Sequence, residues 1–252
     1  MVDGGGWGND NRIVPIAADA STVNLGTRFE QPMPRKSKSG KSSQRPRDID
    51  SAGREPDVRI IGGQFRGRRL RYHGDPIVRP MKHRTREAIF NLVTTDAVGR
   101  HVIDLFAGTG ALGLEALSRG ALSATFIEKH VPSAKIIEEN IRTLEVADRA
   151  TLLVTSAFLW VKRDLPSFAE NQKPSWLVFC SPPYAFYDER RDEMYDLIQQ
   201  IQRYAPATSV LVVEADERLD FQALSSEGAS NERGQWNVRS YPPAVVGIWR
   251  KE

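Results

Sequence analysis

The sequence predicts an α/β protein built on a mainly parallel sheet with helices on both faces. Strand and helix patterns alternate from residue 101 onward, which is typical of a parallel sheet that is covered on both sides. A glycine-rich turn joins the first strand of this series to its helix, and the last two strand patterns flank Pro242-Pro243 as an antiparallel pair. Ligands of such sheets bind at the carboxyl ends of the strands.

Each element follows from its own apolar pattern: short apolar runs predict strands, and apolar residues that recur every three to four positions predict helices. Strands are predicted over residues 101–105, 124–127, 151–154, 176–179, 209–214, 236–240 and 244–249. Helices are predicted over residues 85–95, 111–118, 132–144, 158–164 and 188–202. A short hairpin, with strands over residues 58–61 and 64–71, precedes them.

The composition excludes several classes of protein. With 252 residues, of which 40% are hydrophobic and 27% charged, the chain can form a soluble domain with a sizeable core. The single cysteine, Cys180, excludes a disulfide framework, and four scattered histidines show no zinc-ligand spacing, so we expect no metal. No apolar run could span a bilayer and no signal-peptide pattern opens the chain, which predicts a cytoplasmic protein with no membrane partner. We also expect a monomer.

Residues 1–57 are predicted to be a disordered extension, because they are polar and show no periodic apolar pattern. Six basic residues and no acid occur between positions 35 and 47. Such a run can attract nucleic-acid phosphate, or it can be a solvated tail without a dedicated partner, and both interpretations stay open. The folded domain is expected over residues 58–252, with the hairpin and a linker over 58–80 and a Rossmann-like core over 81–252.

The predicted hairpin is strongly basic. From position 59 to position 86 there are nine basic residues and one acid, with Phe65 and Tyr72 interleaved. A turn at Gly62-Gly63 would present these residues on a compact element. This density favours a surface that binds RNA phosphates and stacks on exposed bases. The candidate RNA contacts are Arg59, Arg66, Arg68, Arg69, Arg79 and Arg84.

The turn after the first parallel strand points to a ligand that contains a nucleoside. Gly108, Gly110 and Gly113 satisfy the GxGxxG spacing, in which glycines let the backbone approach a ligand without a Cβ clash. By this fingerprint alone the site could hold a dinucleotide. Asp104, however, places a carboxylate at the end of the strand, where it would repel a pyrophosphate. The same carboxylate suits the ammonium of S-adenosylmethionine (SAM).

Glu128, at the end of the second strand, can accept hydrogen bonds from both hydroxyls of a ribose. An acid at this place indicates a ligand that contains a nucleoside, but it does not distinguish SAM from a dinucleotide. An NAD-dependent dehydrogenase therefore remains an alternative, supported by the GxGxxG spacing and opposed by Asp104. Nothing in the sequence supplies an acid for hydride transfer with a defined partner.

The fourth strand is followed by Ser181-Pro182-Pro183-Tyr184. Two consecutive prolines stiffen the exit from the sheet and remove two backbone donors, so the segment offers acceptors. The Pro182 carbonyl and Ser181 Oγ could accept hydrogen bonds from an exocyclic amino group, which would favour its nucleophilic form. The Tyr184 ring could stack on the base. A plain proline-rich strand exit is the competing interpretation.

Four stretches carry a likeness to a known family. They are RIIGGQFRGRRL from Arg59, Arg79-Pro80, Arg84 with REAIFN from Arg86, and DLFAGTGALGLEALSRG from Asp104. On these motifs residues 58–252 closely resemble the RsmD family of bacterial methyltransferases, which modify the N2 amino group of a guanine in 16S ribosomal RNA. The glycine segment is shared with many SAM enzymes, whereas the hairpin and the Arg-Pro segment are more specific.

The resemblance implies a class I SAM-dependent fold with a seven-stranded sheet and a hairpin that helps to hold RNA. It implies a substrate presented as ribosomal RNA or as a partly assembled small subunit. It places Ser181, Pro182, Pro183 and Tyr184 against the guanine as catalytic residues. The residues that it places at SAM are Asp104, Phe106, Gly108, Gly110, Glu128, Ser156 and Ala157.

The sequence departs from the family's usual residues at three places. Ser181 stands where the family usually has Asp, so the acceptor is a neutral hydroxyl with a weaker pull on amino protons. Ser156-Ala157 replaces the Asp-Ala or Asn-Ala that would bond the adenine. Residues 81–84 read Met-Lys-His-Arg instead of Thr-Thr-Asp-Arg, which makes the entrance more basic. These departures indicate a divergent branch.

The leading hypothesis is thus a SAM-dependent RNA methyltransferase that acts on N2 of a guanine in small-subunit RNA. Two alternatives accompany it. One is methylation of an amino group on DNA, which the tetrapeptide alone permits. The other is an RNA-binding member of the fold that has lost useful turnover through Ser181 and Ser156.

Overall fold

The computed structural model describes residues 57–72, 81–171, 174–226 and 235–252. The predicted basic run of the extension and the candidate RNA contact Arg79 lie outside these residues. The strands are β1 His101–Asp104, β2 Ser123–Ile127, β3 Ala150–Leu153, β4 Trp176–Cys180, β5 Val210–Ala215, β6 Trp236–Tyr241 and β7 Ala244–Arg250. The helices are α1 His83–Leu92, α2 Ala111–Ser118, α3 Val131–Leu144, α4 Ala157–Arg163, α5 Leu165–Asn171, α6 Phe186–Glu189, α7 Arg191–Tyr204 and α8 Ala223–Ser226, and a 3-10 turn spans Ala147–Arg149.

All seven strands form one sheet in the order β3-β2-β1-β4-β5-β7-β6. The first five are parallel, β7 pairs antiparallel with β5, and β6 pairs antiparallel with β7. The chain begins in the centre of the sheet, runs outward to β3 and then returns to place β4 on the other side of β1. This reversal opens a crevice between the carboxyl ends of β1 and β4. The predicted fold, with its antiparallel C-terminal pair, is confirmed.

The sheet is buried on both faces, as its continuous apolar strands require. Alternate strand residues, such as Val102 and Phe179, face a layer that includes apolar residues of α1, α2 and α3. Their neighbours, such as Ile103 and Val178, face apolar residues of α4 and α7. Because both faces are filled by packed helices, the strand ends are left for a ligand.

Several predicted boundaries differ from the structure. The helix predicted over residues 85–95 is α1, which starts two residues earlier and ends at Leu92. The helix predicted over residues 188–202 is divided into α6 and α7 at Arg190, whose backbone (φ −133°, ψ 38°) leaves the helical region. The short helices α5 and α8 were not predicted, because neither has enough residues to show a helical period.

The hairpin is smaller than the sequence predicts. Instead of two strands joined at Gly62-Gly63, the structure has a single antiparallel bridge between Arg59 and Arg69. Flanking hydrogen bonds join Ile60 to Arg68 and Leu70 to Val58. The turn is long, running from residue 62 to residue 67. We keep the name basic hairpin for residues 58–71.

Among the described residues, no helix combines the length and the apolar character needed to cross a membrane. The same part of the chain has no cluster of three or more histidine, cysteine or acidic side chains that could hold a metal ion.

Candidate active site

Asp104 ends β1 beside the crevice between β1 and β4. Its side chain is buried, with 1% of its surface exposed. Oδ2 accepts a hydrogen bond from the Gly113 backbone N–H at 3.1 Å, whereas Oδ1 has no hydrogen-bond partner among the described residues. Buried carboxylate oxygens are normally paired. Oδ1 therefore marks a position that a hydrogen-bond donor of a ligand can fill.

The surroundings of Asp104 disfavour its charged form. Burial raises the pKa of this carboxyl to about 7, the Gly113 N–H opposes the rise, and the nearby Glu128 carboxylate adds to it. A cation beside Oδ1 would lower the pKa and stabilise the carboxylate, whereas a phosphate would not. The Cys180 thiol is fully buried, and burial raises its pKa too, so it stays neutral and serves packing.

The glycine loop is shaped by two residues in the left-handed region. Gly108 has φ +55° and Gly110 has φ +76°, conformations that side-chain-bearing residues rarely adopt. Gly110 directly precedes α2. Gly113 has another role, because a Cβ there would lie 2.3 Å from the ring of Phe126. The first two glycines therefore set the loop, and the third lets α2 pack on β2.

Glu128 follows β2 and ties the glycine loop to the sheet. Its Oε2 accepts a hydrogen bond from the Gly108 N–H at 2.8 Å, and its Oε1 accepts one from the His130 N–H at 2.7 Å. Each carboxylate oxygen has capacity for a further hydrogen bond. Besides the predicted ribose contact, then, Glu128 has a structural role that the sequence did not indicate: it orients the loop.

An aromatic cluster lies next to the predicted adenine region. Ser156 immediately precedes α4, and Ala157 is its first, buried residue. The rings of Phe106, Phe158 and Phe186 contact one another with centroids 5.9 to 6.3 Å apart. The Arg190 guanidinium lies 3.7 Å from the Phe158 centroid. These half-buried rings offer flat faces at the strand ends, and only Phe106 among them was predicted to line the site.

The tetrapeptide leaves β4 at the same edge of the sheet as Asp104. Ser181 is half-buried and its hydroxyl donates a hydrogen bond to Glu214 Oε2. The Tyr184 hydroxyl donates to Glu214 Oε1 at 2.7 Å. Pro182 is buried, and Pro183 is exposed. Burial and, after it, the Glu214 hydrogen bond raise the pKa of Tyr184, so its hydroxyl stays protonated as a donor.

Glu214 is a site residue that sequence analysis missed. It is the fifth residue of β5, and 8% of it is exposed. In the register of β4 and β5, Cys180 pairs with Val213, which places Ser181 beside Glu214. The available signal was an acid that directly follows the run Val210 to Val213 at the carboxyl end of a buried strand.

The basic hairpin is fixed to the core by α2. Glu115, which is fully buried, accepts hydrogen bonds from the backbone N–H groups of Ile61 and Gly62 at 2.6 and 2.7 Å. It also pairs with Arg119 at 2.8 Å. Ser118 Oγ accepts from the Phe65 N–H and donates to the Gly62 carbonyl. Since α2 begins at Gly110, the hairpin and the glycine loop are held by the two ends of one short helix.

The candidate RNA contacts within the described residues lie on the surface. Arg66 and Arg84 are exposed. Arg59 and Arg69 are also largely exposed, but both pair with Asp57, at 2.6 and 2.9 Å. Arg68 donates to the Thr143 carbonyl. The four candidate contacts within the hairpin thus face solvent, and Asp57, two residues before the basic segment 59–86, balances part of their charge.

Two residues of the basic segment are not available to RNA. Phe65 is 7% exposed and belongs to the core, so the expectation that it stacks on bases is wrong. Arg86 was counted in the charge density, yet it is 2% exposed. Its guanidinium donates to the Arg59 carbonyl, and burial lowers its pKa while Glu115 opposes that effect. Arg86 is therefore a buried residue that stabilises the hairpin through its backbone.

Comparison with known proteins agrees with this architecture. The family described as Conserved hypothetical protein 95 matches residues 58–237. Ribosomal RNA small subunit methyltransferase D of Escherichia coli strain K12 is 39% identical over 127 residues, which are 50% of this chain and 60% of that protein. The Haemophilus influenzae protein of the same name is 33% identical over 138 residues, which are 55% of this chain and 69% of that protein.

Among solved structures, Escherichia coli yhhF aligns with a TM-score of 0.59 and 26% identity, covering 78% of this chain and 99% of that one. The chain spans less than two thirds of the E. coli methyltransferase D sequence that it matches. The family match nevertheless covers more than half of this chain, from the basic hairpin to β6. The chain therefore belongs to the RsmD family, as its motifs predicted, and its fold is that of class I methyltransferases.

Proposed function

We propose that this protein transfers a methyl group from SAM to the N2 amino group of a guanine in small-subunit ribosomal RNA. The observation that carries the proposal is the buried Oδ1 of Asp104, at the crevice between β1 and β4, which none of the residues that the structure describes pairs with. This oxygen can accept a hydrogen bond, and the ionised carboxylate is stabilised by a cation. The ammonium of an amino-acid group provides both the hydrogen-bond donor and the positive charge. The family relatives named as ribosomal RNA methyltransferases supply the substrate class.

The described residues fit SAM. Asp104 would hold the ammonium, and the left-handed loop of Gly108 and Gly110 would lie along the amino-acid portion. Glu128 would accept from the ribose hydroxyls while it keeps the loop in place. Ser156, Ala157 and the aromatic cluster would contact the adenine. When bound, SAM supplies an electrophilic methyl group, so this chain has to position the acceptor and stabilise charge.

The substrate side is built by the tetrapeptide and the basic hairpin. Ser181 Oγ and the Pro182 carbonyl would accept hydrogen bonds from the amino group, and Tyr184 would stack on the base. The hairpin arginines would contact RNA phosphates, which position a substrate without reading its sequence. Because α2 contacts both the hairpin and the glycine loop, RNA bound on the hairpin would lie at a fixed distance and orientation from the cofactor.

The test is incubation of the purified protein with methyl-labelled SAM and small-subunit particles from cells that lack it, followed by nucleoside analysis. Label in N2-methylguanosine is the expected result. Parallel reactions with naked 16S RNA and with duplex DNA separate the RNA and DNA alternatives. If SAM binds but no label appears in the particles, the RNA or the DNA, the substrate assignment is contradicted. If SAM does not bind, the interpretation that is left is an RNA-binding member of the fold.

A further inference from the structure

Glu214 is a buried acid at the candidate site with an unusual set of partners. Both carboxylate oxygens accept a hydrogen bond from a hydroxyl group, Oε2 from Ser181 and Oε1 from Tyr184. The Tyr187 hydroxyl donates to the Glu214 backbone carbonyl at 2.8 Å and so fixes the strand end. The side chain is therefore held in one orientation. Its carboxylate is hydrogen bonded to Ser181, the residue that the proposed function places against the base.

Two charged residues that follow Glu214 in the chain pair with each other. Asp216, two residues on, pairs with Arg218 at 3.1 Å, and its Oδ1 also accepts from the Arg218 N–H. Within the part of the chain that the structure describes, no ion pair joins Glu214 to a basic residue. A carboxylate that is buried and bonded only through hydroxyls is a strong acceptor, because little water or opposite charge weakens it.

This geometry changes the meaning of serine at position 181. A lone hydroxyl is a weak acceptor for amino protons, whereas a hydroxyl that donates to a carboxylate is polarised and becomes a better one. Ser181 Oγ keeps lone pairs for a substrate while its own proton is committed to Glu214 Oε2. The pair can thus supply some of the negative charge that an aspartate at this position would supply directly.

We propose that Glu214 is a positioning residue of the methyl transfer, which acts through Ser181 and takes up the serine proton when Ser181 accepts a proton from the substrate. The proposal rests on the proposed function. As the amino nitrogen gains its bond to the methyl carbon, the carbon–sulfur bond breaks with its electron pair on sulfur, and the nitrogen becomes cationic. One N–H proton then passes to Ser181 Oγ while the serine proton passes to Glu214 Oε2. Glu214 loses that proton to water after the product leaves, and the neutral amine remains methylated.

The experiment compares Glu214→Gln, Ser181→Ala and the double variant in single-turnover methyl transfer, with SAM affinity measured separately by calorimetry. We expect each single variant to lose about 10²-fold in rate, the scale of one proton-transfer group. The double variant should lose no more than about threefold beyond the slower single variant, since both changes break the same relay. SAM affinity should change less than about threefold, because neither side chain is placed at the cofactor.

A rescue variant separates this role from a merely structural one. Ser181→Asp in the Glu214→Gln background puts a carboxylate directly at the substrate and should recover at least about tenfold of the lost rate. Asp216→Asn, which removes a neighbouring carboxylate bonded to Arg218, should keep the wild-type rate. Thermal unfolding of every variant shows whether it folds.

Multiplicative losses in the double variant, or wild-type turnover in Glu214→Gln, would overturn the relay. So would the absence of rescue by aspartate at 181 in a folded protein. If the wild-type protein itself transfers no methyl group to RNA, the proposed function fails and the relay fails with it. An active wild type with an equally active Glu214→Gln variant removes the relay alone.

Discussion

The two ends of β1 carry two buried titratable side chains with opposite roles. At the amino end, His101 is 4% exposed, and its ring nitrogens are hydrogen bonded to Ser123 Oγ at 2.7 Å and Thr125 Oγ1 at 3.0 Å. At the carboxyl end, Asp104 is 1% exposed, and its Oδ1 has no hydrogen-bond partner within the described part of the chain. Three residues apart on one strand, one side chain is fully bonded within the protein and the other is not.

The difference shows how this sheet separates stability from function. Burial lowers the pKa of His101 to about 4, so the ring is neutral at physiological pH and its hydrogen bonds serve the fold. Burial raises the pKa of Asp104 to about 7, so the folded protein without ligand holds a carboxyl that resists ionisation. A group that costs stability in this way and lies at the carboxyl end of a parallel strand is typical of a ligand-binding position.

The largest expected effect comes from Asp104→Asn. The amide keeps an acceptor for the Gly113 N–H but removes the carboxylate, so SAM affinity should fall at least about 100-fold, the scale of a lost charge-assisted contact in a buried site. Calorimetric titration with SAM measures it. Normal SAM affinity in this variant would contradict the role of Asp104 and would reopen the dinucleotide interpretation.

The same variant should be more stable than the wild type at alkaline pH. Because the pKa of Asp104 is raised in the folded protein, its contribution to folding stability is fully present below the unfolded pKa of 3.8 and is lost as pH rises through about 7. At pH 8 the variant should gain about 2 to 4 kcal/mol in free energy of unfolding, from a shift of roughly three pKa units. Urea unfolding at pH 5 and pH 8 checks this, and a gain that is equal at both values would contradict it.

His101→Ala should show the reverse pattern. It removes two buried hydrogen bonds and the ring contact with Phe168, so we expect a loss of about 2 to 3 kcal/mol at pH 7.5. A lowered pKa means that this contribution is present above the unfolded pKa of 6.5 and is lost as pH falls through about 4. The gap to wild type should therefore narrow in acid. SAM affinity should stay within about threefold, and a larger change would break the separation of the two strand ends.

The basic hairpin contrasts with both ends of β1, because its charged side chains are exposed to solvent and each of their contacts is weak. Replacing Arg66, Arg68 and Arg69 with alanine should lower RNA affinity and reduce the slope of log K against log salt by up to about 2. The matched control replaces three exposed arginines elsewhere, Arg191, Arg203 and Arg239. Fluorescence anisotropy with an RNA fragment at several salt concentrations measures both. An unchanged slope in the hairpin variant, or an equal change in the control, would contradict RNA binding at the hairpin.

Much of this architecture follows from short-range patterns. The helix α2 was predicted with its observed ends because Gly110 precedes a run of good helix formers and Gly120 follows it. The five parallel strands were predicted within one residue at each end, since apolar runs of this length are typical of buried strands. The hairpin was predicted less well, because one bridge and a six-residue turn leave little periodic signal.

The sequence by itself determined the order of strands and helices, the glycine loop, Asp104 at the strand end, and the family to which the chain belongs. These features depend on residues that are neighbours along the chain. Only the tertiary structure decided that Glu115 anchors the hairpin, that Arg86 and Phe65 are buried, and that Glu214 stands behind Ser181. Each of those contacts joins residues 27 to 54 positions apart, and the register of the sheet and the packing of α2, rather than any local pattern, bring them together.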